Sequence, residues 1–182
     1  MAKLRFSTTQ QIIDAFPVLR EEFASSDLDS NPVDFAKGLV ESSQHRQALA
    51  VCAFMLPRRE AVGWLCDTLR QNGGELNKVD ETLLKLAEDW VQSPAEKNRM
   101  AAMKAVMTSG FKTAPAWAAA AAAWSGGSMS DNPDLPAPPP AHLTGQAVKM
   151  GQLLAFWNAQ IERRETRVGD TIDRAIAIAQ SD

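Results

Sequence analysis

Residues 93–124 read SPAEKNRMAAMKAVMTSGFKTAPAWAAAAAAW, and this stretch contains the helix signals that recur along the chain. Ser93-Pro94-Ala95-Glu96 has the order of a capping box with proline at the first helical position, which predicts a helix start. Gly110 predicts the left-handed stop of that helix. Thr113-Ala114-Pro115 repeats the start signal for an alanine-rich helix that ends at Trp124. The short connection predicts that the two helices are antiparallel neighbours.

Helical periodicity continues on both sides of this stretch. Upstream, Pro17 predicts a kink or a break in the first helix. Residues 44–56 predict a central helix, because they are apolar on nearly all sides. Downstream, Thr144 predicts the cap of a long helix, and Gly169-Asp170 predicts a break in the last helix.

Seven to nine helices and no convincing strand predict an all-α fold. The chain of 182 residues is long enough to bury a core and fits a single domain over residues 1–182. Short connections favour a compact multi-helix bundle or stacked helical hairpins. Residues 125–141 are the exception, because their prolines and glycines predict one long crossing loop with extended or polyproline-like backbone.

Composition and charge exclude two classes of partner. The formal net charge is −3, and the 19 basic and 22 acidic residues are interspersed without a basic stripe, so we expect no nucleic acid partner. The longest apolar run, residues 114–124, is far shorter than the roughly 20 residues that span a bilayer. The N-terminus also lacks the apolar region of a signal peptide. The sequence therefore predicts a cytoplasmic protein that does not enter a membrane.

The residues that usually carry site chemistry do not form a pattern. Cys52 and Cys66 lie in apolar helical runs without Cys-x-x-Cys spacing, which predicts buried free thiols. His45 and His142 have no Cys, His, Asp or Glu at metal-ligand spacing. Carboxylate pairs are mixed with Lys and Arg, as on ordinary helix surfaces. We expect no catalytic residue, no metal and no cofactor, and hence no enzyme.

The aromatic residues predict a tryptophan-rich core. Each of the five tryptophans lies on a predicted helix among apolar neighbours, and the chain has no tyrosine. The alternative for Trp117 or Trp124, which lie next to residues 125–141, is that one of them clasps the proline-rich loop by stacking on proline rings. The five are Trp64, Trp90, Trp117, Trp124 and Trp157.

Two cationic helix starts need a reason. Arg58 and Arg59 open a predicted helix, where positive charge opposes the helix macrodipole. Arg99, next to Asn98, is likewise a cation near the start of a predicted helix. The alternatives are a salt-bridge network with neighbouring helices or contact with a partner's acidic surface. The candidates for partner binding or for clasping the loop are Arg58, Arg59, Glu60, Trp64, Asn98, Arg99, Trp117, Trp124, Pro138 and Pro139.

Several strings together resemble a known family. They are LPRREAV at 56–62 followed by Trp64, AEDWV at 87–91, Asn98-Arg99 with Ala101-Ala102, Ala116-Trp117 through WSGGS at 124–128, the proline-rich stretch, and Leu143-Thr144. Over roughly residues 45–155 the chain is similar to a family of uncharacterised bacterial proteins found near type VI secretion genes. The resemblance implies an accessory or adaptor role in a contractile secretion system. It implies no established activity.

The sequence therefore favours a non-catalytic protein-interaction or adaptor protein in the cytoplasm of a Gram-negative bacterium. Its partner is expected to be another protein, such as a secretion component or an effector. One alternative is a helical small-molecule-binding or regulatory protein with a pocket lined by Trp and Met. Another is an immunity-type protein that binds a secreted toxin through a concentrated acidic patch. The identity of the partner and the oligomeric state stay open.

Overall fold

Helix is the regular secondary structure of the computed structural model, which describes residues 4–23, 28–72, 74–130, 132, 134–157 and 161–181. No strand occurs in these residues, and the all-α fold class is confirmed. A 3-10 helix spans Pro17–Leu19. The described ranges contain nine α-helices, which are α1 (Thr9–Ala15), α2 (Pro32–Glu41), α3 (His45–Met55), α4 (Arg58–Asn72), α5 (Lys78–Gln92), α6 (Glu96–Ser109), α7 (Ala114–Ala123), α8 (Leu143–Trp157) and α9 (Ile161–Gln180).

Prolines and capping side chains set several of these boundaries as predicted. α1 ends before Pro17, which begins the 3-10 helix, so the break in the first helix is confirmed. The Thr113 hydroxyl accepts a hydrogen bond from the Ala116 N–H at 3.3 Å and caps α7, with Pro115 in the first turn. Gly110 ends α6 with φ of 77°, a conformation that glycine adopts without steric cost.

The predicted capping box at Ser93 is wrong. α6 begins at Glu96, and its N-cap residue Ala95 has no side chain that could accept a hydrogen bond. Ser93 instead ends α5 by donating its N–H to the Asp89 carbonyl at 3.0 Å. The Glu96 carboxylate accepts hydrogen bonds from Arg99 rather than from the amide of Ser93. The Glu96 carboxylate is therefore paired with a charged side chain three residues away.

Two later boundaries also differ from the sequence expectation. Thr144 lies inside α8, and its hydroxyl donates to the Trp124 carbonyl at 3.0 Å instead of capping a helix. α9 continues through Gly169-Asp170 without a break. Apolar spacing explains the continuity, because Val168 and Ile172 are buried on either side of the predicted break at helical spacing.

Residues 1–57 and 156–182 form one compact unit. Helix α3 is at its centre and contacts α1, α2 and α9. All eight residues from Ala48 to Met55 are buried, so the predicted central position of this helix is confirmed. The Trp157 side chain, predicted for the core, lies outside the described residues.

Residues 58–155 form the other compact unit. This division does not test the single domain predicted from the sequence, which stays a prediction. Helix α7 is the centre of this unit and contacts α4, α5 and α6. The six residues Ala118–Ala123 have no exposed surface. Because alanine presents only a methyl group on every side, three helices approach α7 closely at once. Buried Trp64 and Trp90 lie on two of these neighbours, α4 and α5.

Helix α8 meets α4 at a glycine. A Cβ atom added at Gly151 would lie 2.5 Å from Cδ2 of Leu65, a side chain with no exposed surface. One residue further, the fully buried Gln152 donates its Nε2 hydrogen to Oγ1 of Thr68 at 3.2 Å. The absence of a side chain at Gly151 therefore permits the close approach of α8 to Leu65 of α4.

We predict that Gly151→Ala destabilises the protein by about 1–3 kcal/mol, because Leu65 has no room to move aside. Gly38→Ala is the matched control, since Gly38 is an exposed helical glycine with nothing within 4 Å of an added Cβ. The control should be more stable than the original chain by about 0.5–1 kcal/mol. Urea unfolding measures both changes, and equal effects of the two substitutions would contradict the packing described.

Candidate functional site

The Arg99 side chain joins three parts of the second unit. Only 3% of Arg99 is exposed. Its guanidinium donates two hydrogen bonds to the Glu96 carboxylate, at 2.7 and 2.6 Å. It also donates to the carbonyls of Ala123 at 2.7 Å and Ser128 at 2.8 Å. These bonds connect the first turn of α6 to the end of α7 and to the loop that follows.

The Gly126-Gly127-Ser128 turn is shaped around this guanidinium. Gly127 has φ of 63°, and an added Cβ would lie 2.7 Å from Nε of Arg99. Both the backbone conformation and the contact therefore require glycine at this position. An added Cβ at Gly126 would meet nothing within 4 Å. The turn thereby directs the Ser128 carbonyl toward the Arg99 guanidinium.

The cations that open α4 bind carbonyl groups at the ends of other helices. Arg58 donates through Nη1 to the Ser125 carbonyl at 2.7 Å, just after α7. Arg59 donates through Nε to the Val91 carbonyl at 2.6 Å, at the end of α5. A helix C-terminus carries partial negative charge, so both contacts are electrostatically favourable. This internal pairing offsets the unfavourable position at the start of α4.

The other predicted candidates have different surroundings. Asn98 donates through Nδ2 to the carbonyls of Ser93 at 2.9 Å and Asp89 at 3.2 Å, which ties α6 to the end of α5. Glu60 is half-buried in the first turn of α4. Trp64 is a core residue with 1% of its surface exposed. Pro138 is exposed and Pro139 is half-buried.

Trp117 and Trp124 pack against each other and against Phe111. The Phe111 ring lies 5.4 Å from both indoles, centroid to centroid, and stacks on Trp124 at an interplanar angle of 24°. The two indoles meet edge to face at 6.4 Å. Through this aromatic cluster, Phe111 in the connection between α6 and α7 packs against the two tryptophans. The clasping of the proline-rich loop by Trp117 or Trp124 stays a prediction.

A surface that we call the α6 surface is formed by one exposed face of α6 and the two grooves beside it. A groove of about 660 Å³ lies between α5 and α6, and one of about 740 Å³ lies between α6 and Met129. Ala101, Lys104 and Thr108 line both grooves and form the ridge between them. The other lining residues are Lys78, Val79, Thr82, Leu83, Leu86, Ala105 and Ser109 in the first groove, and Lys97, Met100, Met103, Met107 and Met129 in the second.

Apolar and cationic side chains are concentrated on the α6 surface. Of the six exposed large apolar side chains in the described part of the chain, Val79, Met107 and Met129 line its grooves. Their exposed fractions are 57%, 67% and 42%, respectively. Lys104 lies on the ridge between the two grooves, and Lys78 and Lys97 each line one of them. The sequence does not reveal this surface, because Met100, Met103 and Met107 have the spacing of one apolar helix face and are typical of a buried stripe.

Groups for metal or thiol chemistry are not gathered anywhere in the described ranges. No group of three or more His, Cys, Asp or Glu side chains is close enough to hold a metal ion there. Cys52 and Cys66 are buried and unpaired, as predicted, and burial raises the pKa of both thiols. In the same residues, no helix combines the length and apolarity needed to cross a bilayer.

Comparison with known proteins places the chain in a family. It belongs to DUF6931, a family of unknown function whose model matches residues 35–179. That description names neither an activity nor a secretion system, so the accessory role in type VI secretion stays a prediction. No curated protein and no solved structure matches the chain.

We predict that Gly127→Ala lowers the free energy of unfolding by about 1–3 kcal/mol, because it adds left-handed strain and a clash with Arg99. Gly126→Ala, one residue away, should change it by less than about 0.5 kcal/mol. Chemical denaturation of the two variants gives the comparison. Similar stabilities for the pair would mean that the guanidinium does not fix the turn.

The Glu96 carboxyl provides a pH test. The hydrogen bonds from Arg99 lower its pKa below the ordinary value near 4.5. A lowered pKa stabilises the folded state above the ordinary value, and this contribution is lost as the pH falls through the lowered one. We expect the stability difference between the original chain and Glu96→Gln to shrink over that window.

Thermal unfolding measured from pH 7 down to pH 3 checks the Glu96 prediction. The exposed Glu75 provides the control variant, Glu75→Gln. A difference between Glu96→Gln and the original chain that stays constant with pH would refute the pairing.

Proposed function

We propose that this protein is a non-catalytic protein-interaction or adaptor protein whose α6 surface binds an acidic amphipathic helix of a partner. The observation that carries the proposal is the concentration of exposed apolar side chains and of lysines on that surface, where the described residues place no carboxylate within ion-pair distance of these lysines. An accessory role in a type VI secretion system is the wider proposal, and it rests on the family resemblance alone.

The apolar part of the surface supports a protein partner. Met107 is 67% exposed and Met129 is 42% exposed, on the two sides of one groove. Exposed apolar patches of this kind mark interaction sites more often than ordinary surface. Methionine side chains are flexible and polarisable, so a methionine-lined groove adapts to the side chains of a partner.

The geometry of α6 favours a helical partner. Lys97, Met100, Lys104 and Met107 follow one another at spacings of three or four residues, so they lie along one face of the helix. That face is about 15 Å long at the helical rise of 1.5 Å per residue. A straight ridge with a groove on each side accepts another helix by the packing of ridges into grooves.

Charge favours an acidic partner. Lys78, Lys97 and Lys104 line the two grooves, and in the described residues none of the three is within ion-pair distance of a carboxylate. Carboxylates on the edges of a bound helix would meet these lysines. Complementary charge of this kind raises the association rate and selects the partner.

The composition of the grooves supports a binding role without catalysis. The described residues that line them include no His, Cys, Asp or Glu, the groups that most often act as acid, base or metal ligand. An immunity-type function would need a concentrated acidic surface, whereas this surface carries lysines.

Small-molecule binding is the second candidate. Both grooves have volumes within the range of about 300–1,000 Å³ that is typical of ligand sites. The second groove has the methionine part of the Trp and Met lining expected from the sequence, but no Trp is among its described lining residues. Against it, the groove between α5 and α6 opens widely to solvent, whereas ligand sites usually enclose most of the ligand.

The test combines affinity purification from the native host with a charge reversal. We predict that the original chain recovers a protein whose contact segment, mapped by cross-linking, is an acidic amphipathic helix. Lys104→Glu should raise the measured Kd about tenfold, because the new carboxylate would repel the acidic partner. Lys37→Glu, the same change at an exposed lysine of α2, should leave the Kd within about twofold.

Equal affinity of the two variants would exclude the α6 surface as the binding site. Recovery of secretion-apparatus proteins would support the wider proposal. No bound protein, together with a small molecule seen by native mass spectrometry, would favour the second candidate.

A further inference from the structure

Residues 135–140, LPAPPP, form an exposed segment that the proposed helix-binding role does not use. We call it the proline segment. Leu135 is 69% exposed, and every other residue of the segment is exposed except the half-buried Pro139. A large apolar side chain this exposed, next to four prolines, has no role in the core.

The chemistry of the segment fixes its backbone. Proline rings hold φ near −65° at positions 136, 138, 139 and 140. Leu135, Ala137, Pro138 and Pro139 each precede a proline, and this restricts them to extended or polyproline II conformation. The segment is therefore close to a polyproline II helix, with about three residues per turn.

The fold holds this segment in place. Ala137 donates its N–H to Oγ of Ser128 at 3.0 Å and accepts a hydrogen bond from the Met129 N–H at 2.8 Å. At the far end, the Pro140 carbonyl accepts from the Leu143 N–H at 3.1 Å. The Ser128 carbonyl is itself bound by Arg99. The segment is ordered before it meets a partner, so binding would cost little conformational entropy.

The threefold period separates the segment into faces. Leu135 and Pro138 share one face, Pro136 and Pro139 the next, and Ala137 and Pro140 the third. Ala137 is the residue whose backbone the protein itself binds. The two remaining faces present the dipeptides Leu135-Pro136 and Pro138-Pro139, with Pro136 and Pro139 in the P-x-x-P spacing that aromatic-lined grooves recognise.

We infer that the proline segment is a ligand for a second protein, one with an aromatic-lined groove that takes polyproline II helices. The charge around the segment narrows the class of partner groove further. No Lys or Arg occurs in the sequence between Lys112 and Lys149, and the exposed Asp134 directly precedes the segment. The groove should therefore have a basic or neutral rim rather than an acidic one. The segment adjoins the α6 surface at Met129, whose N–H donates to the Ala137 carbonyl, but none of residues 135–140 is among the described residues that line the two grooves. The inference therefore does not depend on the partner proposed there.

The probes for this inference are purified SH3, WW and EVH1 domains, chosen to include grooves with basic and with acidic rims. Isothermal titration of each domain into the full-length protein gives the affinity. We expect binding to at least one domain with a basic rim, weakened at least tenfold by the double variant Pro136→Ala/Pro139→Ala. Pro94→Ala, at an exposed proline between α5 and α6, is the control and should bind as the original chain does.

Leu135→Ala is the second variant, because it removes an exposed side chain without freeing the proline backbone. It should also weaken binding at least tenfold while the melting temperature stays unchanged. Lys104→Glu should leave this affinity unchanged, which separates the result from any failure at the α6 surface. The inference is overturned if no domain binds, or if the proline and Leu135 variants bind as well as the original chain. Self-association lost in the same variants would also overturn it, because the ligand would then bind a second copy.

Discussion

The second unit depends on one buried cation. Arg99 is almost completely enclosed, and its guanidinium donates to carboxylate and carbonyl oxygens at 2.6–2.8 Å and to Sδ of Met100 at 2.9 Å. A buried guanidinium without partners would cost several kcal/mol, so its acceptors must stay together. They come from the start of α6, the end of α7 and the turn at Ser128. The α6 surface and the proline segment are therefore both positioned by the same side chain.

Much of this architecture follows from local sequence chemistry. Pro17, Gly110 and Thr113 act within a few residues of themselves, and their effects on the backbone were predicted correctly. The apolar run in α3 predicted burial, because no polar face was left for solvent. The alanine run in α7 predicted a helix. That it would be the centre of a unit was not evident, since small side chains become central only when three neighbours are present to approach them.

Several of the errors and missed features arise from partners distant in sequence. Ser93 and Thr144 are good cap residues, yet Ser93 ends α5 through its own N–H, and the Thr144 hydroxyl donates to the Trp124 carbonyl. The sequence shows that Arg58 and Arg99 lie near helix starts, where positive charge is unfavourable. It does not show their binding partners, because the carbonyls that bind them are 67 and 24 residues away. The α6 surface could not be predicted, because exposure of Met107 and Met129 depends on which faces the neighbouring helices leave uncovered.

Hydrogen exchange in Arg99→Lys tests most directly the claim that Arg99 holds α6, α7 and the loop together. Lysine keeps the charge but lacks the planar fork of donors, so it cannot reach all of these acceptors at once. The account predicts that the amides of Met129 and Ala137 exchange at least about tenfold faster, while the amides of α3 in the other unit keep their protection. Unchanged exchange at Met129 and Ala137 would contradict it, because the loop would then be ordered without the cation.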